Sequence, residues 1–328
     1  MTAFDIFNGD ADGICSLLQL RLDCPRDAVL VTGVKRKVDL LNTLSIEHVV
    51  SQDDKITVLD VSMLKNQPGL KSALTQGAQV FYADHHQSGD IPKHPNLTAH
   101  INLSPETCTG LIINKHLENR YLLWALTAAF GDNLIDTANT LGEQHNIDGA
   151  TLALVQELGT YINYNGYGAS LEDLFYHPAT LFNILLPYTS PIDFIEDGHD
   201  AFKTLEEGYQ SDFSQANSAD VIHKSAQASA YLLPNERWAR RVSGVFGNDL
   251  ANQAPNSAHA VLTEQTKDNQ KGYLISIRAP LTNKRHADTL ASKFPSGGGR
   301  KAAAGINFLP EEQLSTFLQH FESQYQNT

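Results

Sequence analysis

The chain has 328 residues, 41% of them hydrophobic and 19% charged, with a formal net charge of -13 at neutral pH. That length suits two domains with a core each, and that composition excludes disordered and membrane-spanning classes. The acidic balance also argues against a protein that grips long nucleic acid through a broad basic surface.

In chain order, Thr2–Phe7, Ala28–Thr32, Lys55–Leu59 and Ala78–Tyr82 are short β-branched or aromatic runs bounded by Gly, Asp or Pro, and they predict strands. Helical patterns separate them, ICSLLQLRL after the first and LKNQPGLKSALTQG after the third. Such alternation predicts an α/β fold, a doubly wound and mainly parallel sheet covered on both faces. From Glu106 to about Phe194 the pattern becomes a helical extension, with TGLIINKHL, YLLWALTAAFGDN, GATLALVQELGTYI and HPATLFNILL carrying apolar residues at helical spacing. Tyr121–Phe130, the longest apolar stretch, is far too short to span a bilayer. Ser211–Leu233 is expected to be a polar connecting helix. Strands at Ala258–Thr263 and Gly272–Arg278, a helix at His286–Phe294, the loop PSGGGRKAAAG with a helix-like AAAG, and a helix at Pro310–Gln326 follow. The predicted organisation is a first domain over residues 1–195, a connecting helix and linker over 196–234, and a smaller α/β domain over 235–328.

In a parallel α/β sheet, ligands bind beyond the carboxyl ends of the strands. Chemistry-bearing residues collect at such ends: Asp10 and Asp12 after the first strand, Asp60 after the third, and Asp84, His85 and His86 after the fourth, with Asp132 just beyond a buried helix. Taken singly, Asp10 with Asp12 and Asp60 read first as helix caps, since a carboxylate there accepts backbone N–H groups, and one of the two adjacent histidines reads as a buried imidazole. Together they do not, because carboxylates gathered in one cleft repel unless a cation neutralises them. Oxygen and imidazole donors without thiolate favour manganese or magnesium, and two such ions about 3.5–4 Å apart would clamp a phosphoryl group and activate water.

The motifs DADG, VLDVS, DHH and FGD, in this order, resemble those of the DHH phosphoesterase family, and SGGGRKAAAG with ISIR resembles the DHHA1 substrate-binding domain that often follows. The resemblance implies a metal-dependent phosphodiesterase with two manganese or magnesium ions. It assigns Asp10, Asp12, Asp60, His85 and Asp132 as ligands, with Asp60 bridging. His86 is expected to contact phosphate or assist at the attacking water, and Asp84 to orient an imidazole. Many family members carry a histidine ligand just before the first aspartate, where this chain has Asn8. Either Asn8 stands in as a ligand, or the first metal has fewer protein ligands. Where the family usually shows GGGH, the chain has Gly297, Gly298, Gly299 and Arg300.

Three glycines let backbone N–H groups approach an anion, and arginine in place of histidine adds a fixed positive charge. Arg278, Gly297–Gly299 and Arg300 are therefore expected to bind a substrate phosphate. Tyr161–Gly168 (YINYNGYG) reads as a helix end and packed loop, with base stacking as the alternative. The cysteines Cys15, Cys24 and Cys108 are odd in number and lack a CxxC pair, which excludes a thiolate zinc site and a disulfide framework. The first residues do not read as a signal peptide, and a cytoplasmic location without membrane association is expected. The expected substrate is a short oligonucleotide, a dinucleotide or another small phosphorylated molecule. The alternatives are a single-strand exonuclease of RecJ type and a non-catalytic nucleotide- or phosphate-binding regulator. A homodimer is left open.

Overall fold

Five short strands form the first sheet of the computed structural model, which describes residues 2–48 and 50–326. They are β1 (Ala3–Phe7), β2 (Val29–Val31), β3 (Lys55–Leu59), β4 (Gln79–Asp84) and β5 (Leu97–Ile101), all parallel, in the order β2-β1-β3-β4-β5. The side-chain period of two gives each strand two faces. Phe4, Ile6, Ile56, Val58, Val80 and Tyr82 meet α2 (Leu40–Glu47) and α3 (Gln67–Thr75) in one core. On the other face Asp5 and Thr57 accept hydrogen bonds from Arg21 of α1 (Ala11–Asp23). In this order the direction of winding reverses between β1 and β3, and the crevice at such a reversal is where open α/β sheets bind ligands. The carboxyl ends of those two strands carry Asp10 and Asp60.

The helical extension comprises α4 (Thr109–His116), α5 (Leu122–Gly131), α6 (Ile135–Gln144), α7 (Gly149–Gly166), α8 (Pro178–Leu185) and α9 (Pro191–Glu196). Helix α5 is almost wholly apolar and buried, and it packs between α1 and α7. The approach is close enough to require glycine. A Cβ on Gly131 would lie 2.4 Å from the Cβ of Ala11 and 2.9 Å from the carbonyl oxygen of Gly159.

The chain divides into two compact units, Met1–Glu206 and Glu207–Thr328, with the division inside α10 (Asp200–Ala216). The second unit holds a mixed sheet of order β10-β11-β9-β8-β7-β6, in which only β7 and β8 run parallel. Its strands are β6 (Asp220–Lys224), β7 (Ala228–Leu233), β8 (Ala258–Lys267), β9 (Gln270–Arg278), β10 (Gly297–Gly299) and β11 (Ala303–Pro310). Helix α11 (Arg237–Gln253) packs on β8 and β9, while α12 (Ala287–Ala291) and α13 (Leu314–Tyr325) share a core with Ala230, Ala260, Leu262, Ile275 and Ile277.

Several sequence expectations differ from these elements. The polar helix expected over Ser211–Leu233 ends at Ala216, and β6 and β7 follow. Ala228 and Ala230 face the core beside β8 and Leu232 packs against it, a period-two pattern that alanine disguises because alanine favours helices. The helix-like AAAG is the start of β11, whose Ala303–Gly305 pair with Ser276–Arg278 of β9. The glycine run expected as a loop is the edge strand β10, paired with Ala304–Ile306. Helix α2 and strand β5 carry no sequence expectation; β5 is a half-buried edge strand whose LTAHI shows little apolar alternation. Among the described residues no helix is long and apolar enough to cross a membrane.

Candidate metal centre

Asp10 ends the turn after β1 and caps α1, its Oδ1 accepting from Gly13 N–H at 3.1 Å. Gly13 belongs to the DADG motif for a steric reason, since a Cβ there would lie 2.1 Å from the carbonyl oxygen of Asn8. Asp12, in the first turn of α1, is wholly enclosed. Its Oδ2 accepts from Thr109 N–H at 2.8 Å and its Oδ1 from Gly110 N–H at 2.7 Å, so the N-terminus of α4 grips both oxygens. Asp60 has a left-handed φ of 56°, an uncommon conformation for a residue with a side chain. Its Oδ1 accepts from the Thr109 hydroxyl at 3.3 Å. Asp132 caps the C-terminus of α5.

His85 joins them. Its Nδ1 lies 2.7 Å from the carbonyl oxygen of Thr107, which as an acceptor fixes the proton on Nδ1. Nε2 is then a lone pair, and it faces Asp60 Oδ1 at 3.3 Å, Asp12 Oδ2 at 3.5 Å and Asp132 Oδ2 at 3.5 Å. Four acceptors converging on one buried point leave room for a cation and for little else. Two overlapping sets, Asp12 with His85 and Asp132, and Asp60 with His85 and His86, bring one donor atom from each residue within 4.8 Å of the others. Oxygen and imidazole donors, with the imidazole oriented by a carbonyl, suit manganese or magnesium.

The electrostatics agree with the geometry. Burial, and then the charge of Asp60, pushes the Asp12 carboxyl well above the usual range; burial, and then Asp10 and Asp132, does the same to Asp60. Burial, and then Asp12, likewise raises the thiols of Cys15 and Cys108, which keeps both out of thiolate chemistry. Asp84 differs. Burial would raise it, but the neighbouring His86 holds it below the usual range, with Asp84 Oδ1 2.8 Å from His86 Nδ1. Asp84 thus lies behind His86 and orients it, while His86 is about a quarter exposed and lies 3.6 Å from Asp60 Oδ1.

Lys35 carries no sequence expectation. It follows β2 in GVKRK, a run that reads as a solvated surface, yet its ammonium is ion-paired with Asp10 Oδ2. It also donates to Asn163 Oδ1 at 2.9 Å and lies 3.5 Å from Asp132 Oδ1. Burial alone would lower its pKa, but Asp10 raises it well above the usual lysine value, so the residue is a fixed cation. Asn8 is buried, and its amide donates to the Lys35 carbonyl at 3.2 Å. Thr107–Gly110 carries no expected role at the site, although a helix is expected from Thr109; its signal is a Thr-Gly pair opening that helix, where free N–H groups attract a carboxylate.

In the second unit, Arg278 ends β9. Its guanidinium donates to Asn248 Oδ1 at 2.6 Å, to the Gly244 carbonyl at 3.0 Å and to its neighbour Ile277 at 3.1 Å. Arg300 follows β10, with its N–H on the Ala303 carbonyl at 2.8 Å. The aromatics of YINYNGYG are buried at the end of α7, and Asn165 ties that end to Tyr176, so the stretch packs and presents no face to a base.

Residues 224–327 match the family model of the DHHA1 domain. The C-terminal unit is a DHHA1 domain. With that domain the chain has the fold of solved DHH-type structures. One is exonuclease RecJ bound to manganese, at 16% identity and TM-score 0.56 over 98% of this chain and 89% of that one. A second, RecJ in complex with Mn2+ from Thermus thermophilus, matches at 16% and 0.56 over 100% of this chain and 52% of that one. A third, the pGpG-specific phosphodiesterase PggH from Vibrio cholerae, matches at 14% and 0.57 over 99% and 98%. A search of curated proteins gives no match. The resemblance to DHH/DHHA1 proteins read from the motifs therefore holds, through the DHHA1 domain at the C-terminus and through the fold along the whole chain.

Proposed function

We propose that the protein is a metal-dependent phosphodiesterase that hydrolyses dinucleotides or short oligonucleotides. The observation that carries this is the lone pair of His85 Nε2 facing one oxygen each of Asp12, Asp60 and Asp132. These four residues would hold a manganese or magnesium ion. When bound, such an ion supplies Lewis acidity toward a phosphoryl oxygen and a nucleophile from water at neutral pH. The chain's own groups do the rest. Thr109 and Gly110 hold Asp12 in one orientation, Thr107 holds His85, and Lys35 offers fixed positive charge beside the carboxylates. His86, aimed by Asp84, donates a hydrogen bond to substrate phosphate. In the DHHA1 domain, Arg278, the Gly297–Gly299 backbone and Arg300 are assigned to a non-scissile phosphate. Unchanged KM on every phosphorylated substrate in Arg278→Ala and Arg300→Ala would remove that assignment.

Short substrates are favoured by the net charge of -13 and by similarity along nearly the full length of a protein described as pGpG-specific. The test is manganese-dependent hydrolysis of a labelled dinucleotide and a long single strand, side by side, with Asp60→Ala as blank. Preference for the dinucleotide is expected. Progressive loss from the long strand would establish an exonuclease instead. Silence on both by manganese-loaded protein would leave a binding role or a smaller phosphorylated substrate.

A further inference from the structure

We infer that Lys35 takes the place of a second metal ion, so that the centre binds one divalent ion and uses the lysine ammonium as its second cation. This rests on the metal-dependent reading above and replaces the expectation of two ions.

The carboxylates are already partitioned. Asp12, Asp60 and Asp132 each turn an oxygen toward His85 Nε2, whereas Asp10 turns an oxygen to the ammonium of Lys35. Asp10 Oδ1 accepts from Gly13 N–H, and its Oδ2 is ion-paired with the ammonium of Lys35. A second ion beside Asp10 would have to displace that ammonium.

The lysine is built into position at both ends. Its N–H donates to the Gly166 carbonyl at 2.8 Å, and its own carbonyl accepts from the Asn8 amide at 3.2 Å. Asn8 occupies the place where a histidine ligand would stand, and its amide nitrogen holds the lysine backbone. At the other end, an ammonium has three protons and no lone pair. Asp10 Oδ2, Asn163 Oδ1 and Asp132 Oδ1 are three acceptors for it, and the Tyr167 ring lies 5.3 Å away. Asp132 joins the two halves, with Oδ1 toward Lys35 and Oδ2 toward His85. A side chain held by this many partners is a component of the centre, and it keeps a fifth of its surface exposed, toward which a phosphoryl oxygen can approach.

The consequence is chemical as well as numerical. A lysine contributes one positive charge and directional hydrogen bonds, but no coordination position for water. It can therefore hold a phosphoryl oxygen, while activation of water belongs to the single ion.

The experiment is metal counting on the full chain, loaded with manganese, dialysed and analysed by elemental analysis and electron paramagnetic resonance. One manganese per chain with an isolated six-line spectrum is expected. Two per chain, or an exchange-coupled spectrum, would overturn the role of Lys35 while leaving the phosphodiesterase reading intact. No retained manganese would instead overturn the metal centre itself, and this inference with it. The Asn8→His/Lys35→Ala double variant is expected to rise from one ion to two. A folded double variant that stays at one ion would show that Lys35 does not occupy the second position. Should that variant fail to fold, the count and spectrum of the unaltered protein still decide.

Discussion

Asp5, within β1, and Asp60, just past the end of the adjacent β3, are both buried acids, yet they do different work. Asp5 is bidentate with Arg21 and is also reached by Arg26, so its charge is fully matched within the protein. Asp60 sits among Asp10, Asp132 and Asp84, whose charges add to burial in raising its pKa. Asp5→Ala should cost about 3–5 kcal/mol by stranding the buried Arg21, a loss visible in urea denaturation, while the folded variant retains its manganese. Asp60→Ala and His85→Ala should do the reverse, abolishing manganese retention without a comparable loss of stability in the metal-free protein. If all three variants bound manganese alike, the ligand assignment would fail. Asp5 lies mid-strand, where a lone charge in an apolar run gives no clue to its partner. Asp60 lies where a strand ends, and its position alone marks it. Lys35 is illegible for the opposite reason: GVKRK reads as solvated surface, and only the folded chain brings it to Asp10.

The helices set the site's precision by how closely they approach. Helices α1, α5 and α7 meet at Gly131 and Gly159, one residue before Asp132 and four before Asn163 respectively. Gly131→Ala should destabilise the fold by about 1–3 kcal/mol through overpacking against Ala11 and the Gly159 carbonyl. Because it would also shift Asp132, manganese affinity should fall with it. Calorimetric titration of the folded variant checks this, and unchanged affinity would show that Asp132 does not depend on the packing. Helix α4 is legible as a helix from TGLIINKHL, but its grip on Asp12 is not, since that contact spans nearly a hundred residues of sequence. The second unit shows the limit of local pattern most clearly. The alanines at 226–230 and 302–304 lean toward helix on their own, and pairing with neighbouring strands overrides that preference.

For the molecule as a whole, a cation that binds only the folded chain must add to its stability. At a hundredfold excess over the dissociation constant the gain is about 2.7 kcal/mol. The gain should depend on pH in one direction. Asp12 and Asp60 have raised pKa values in the metal-free fold, so they hold protons there that the unfolded chain has released, and stability falls as pH rises from the ordinary carboxylate range toward those raised values. A divalent ion needs them deprotonated. The manganese-induced rise in Tm should therefore be larger at pH 7 than at pH 5. Comparing loaded with stripped protein at each pH cancels groups far from the centre, such as His100 and His259, whose pKa values burial lowers. A rise in Tm independent of pH would mean that these carboxylates do not bind the ion.

The sequence by itself determined the parallel α/β unit and the helical extension, and it placed Asp10, Asp12, Asp60 and His85 at strand ends as candidate ligands. Strand periodicity and strand ends are local properties, and ligands in this kind of sheet gather where strands stop. Tertiary structure alone decided which carboxylates share one point, that Thr107–Gly110 orients two of the donors, and that a lysine neutralises Asp10. Those outcomes depend on distances between residues remote in the chain, and a side chain's charge says nothing about which of several acids it will meet until the packing of the helices has been settled.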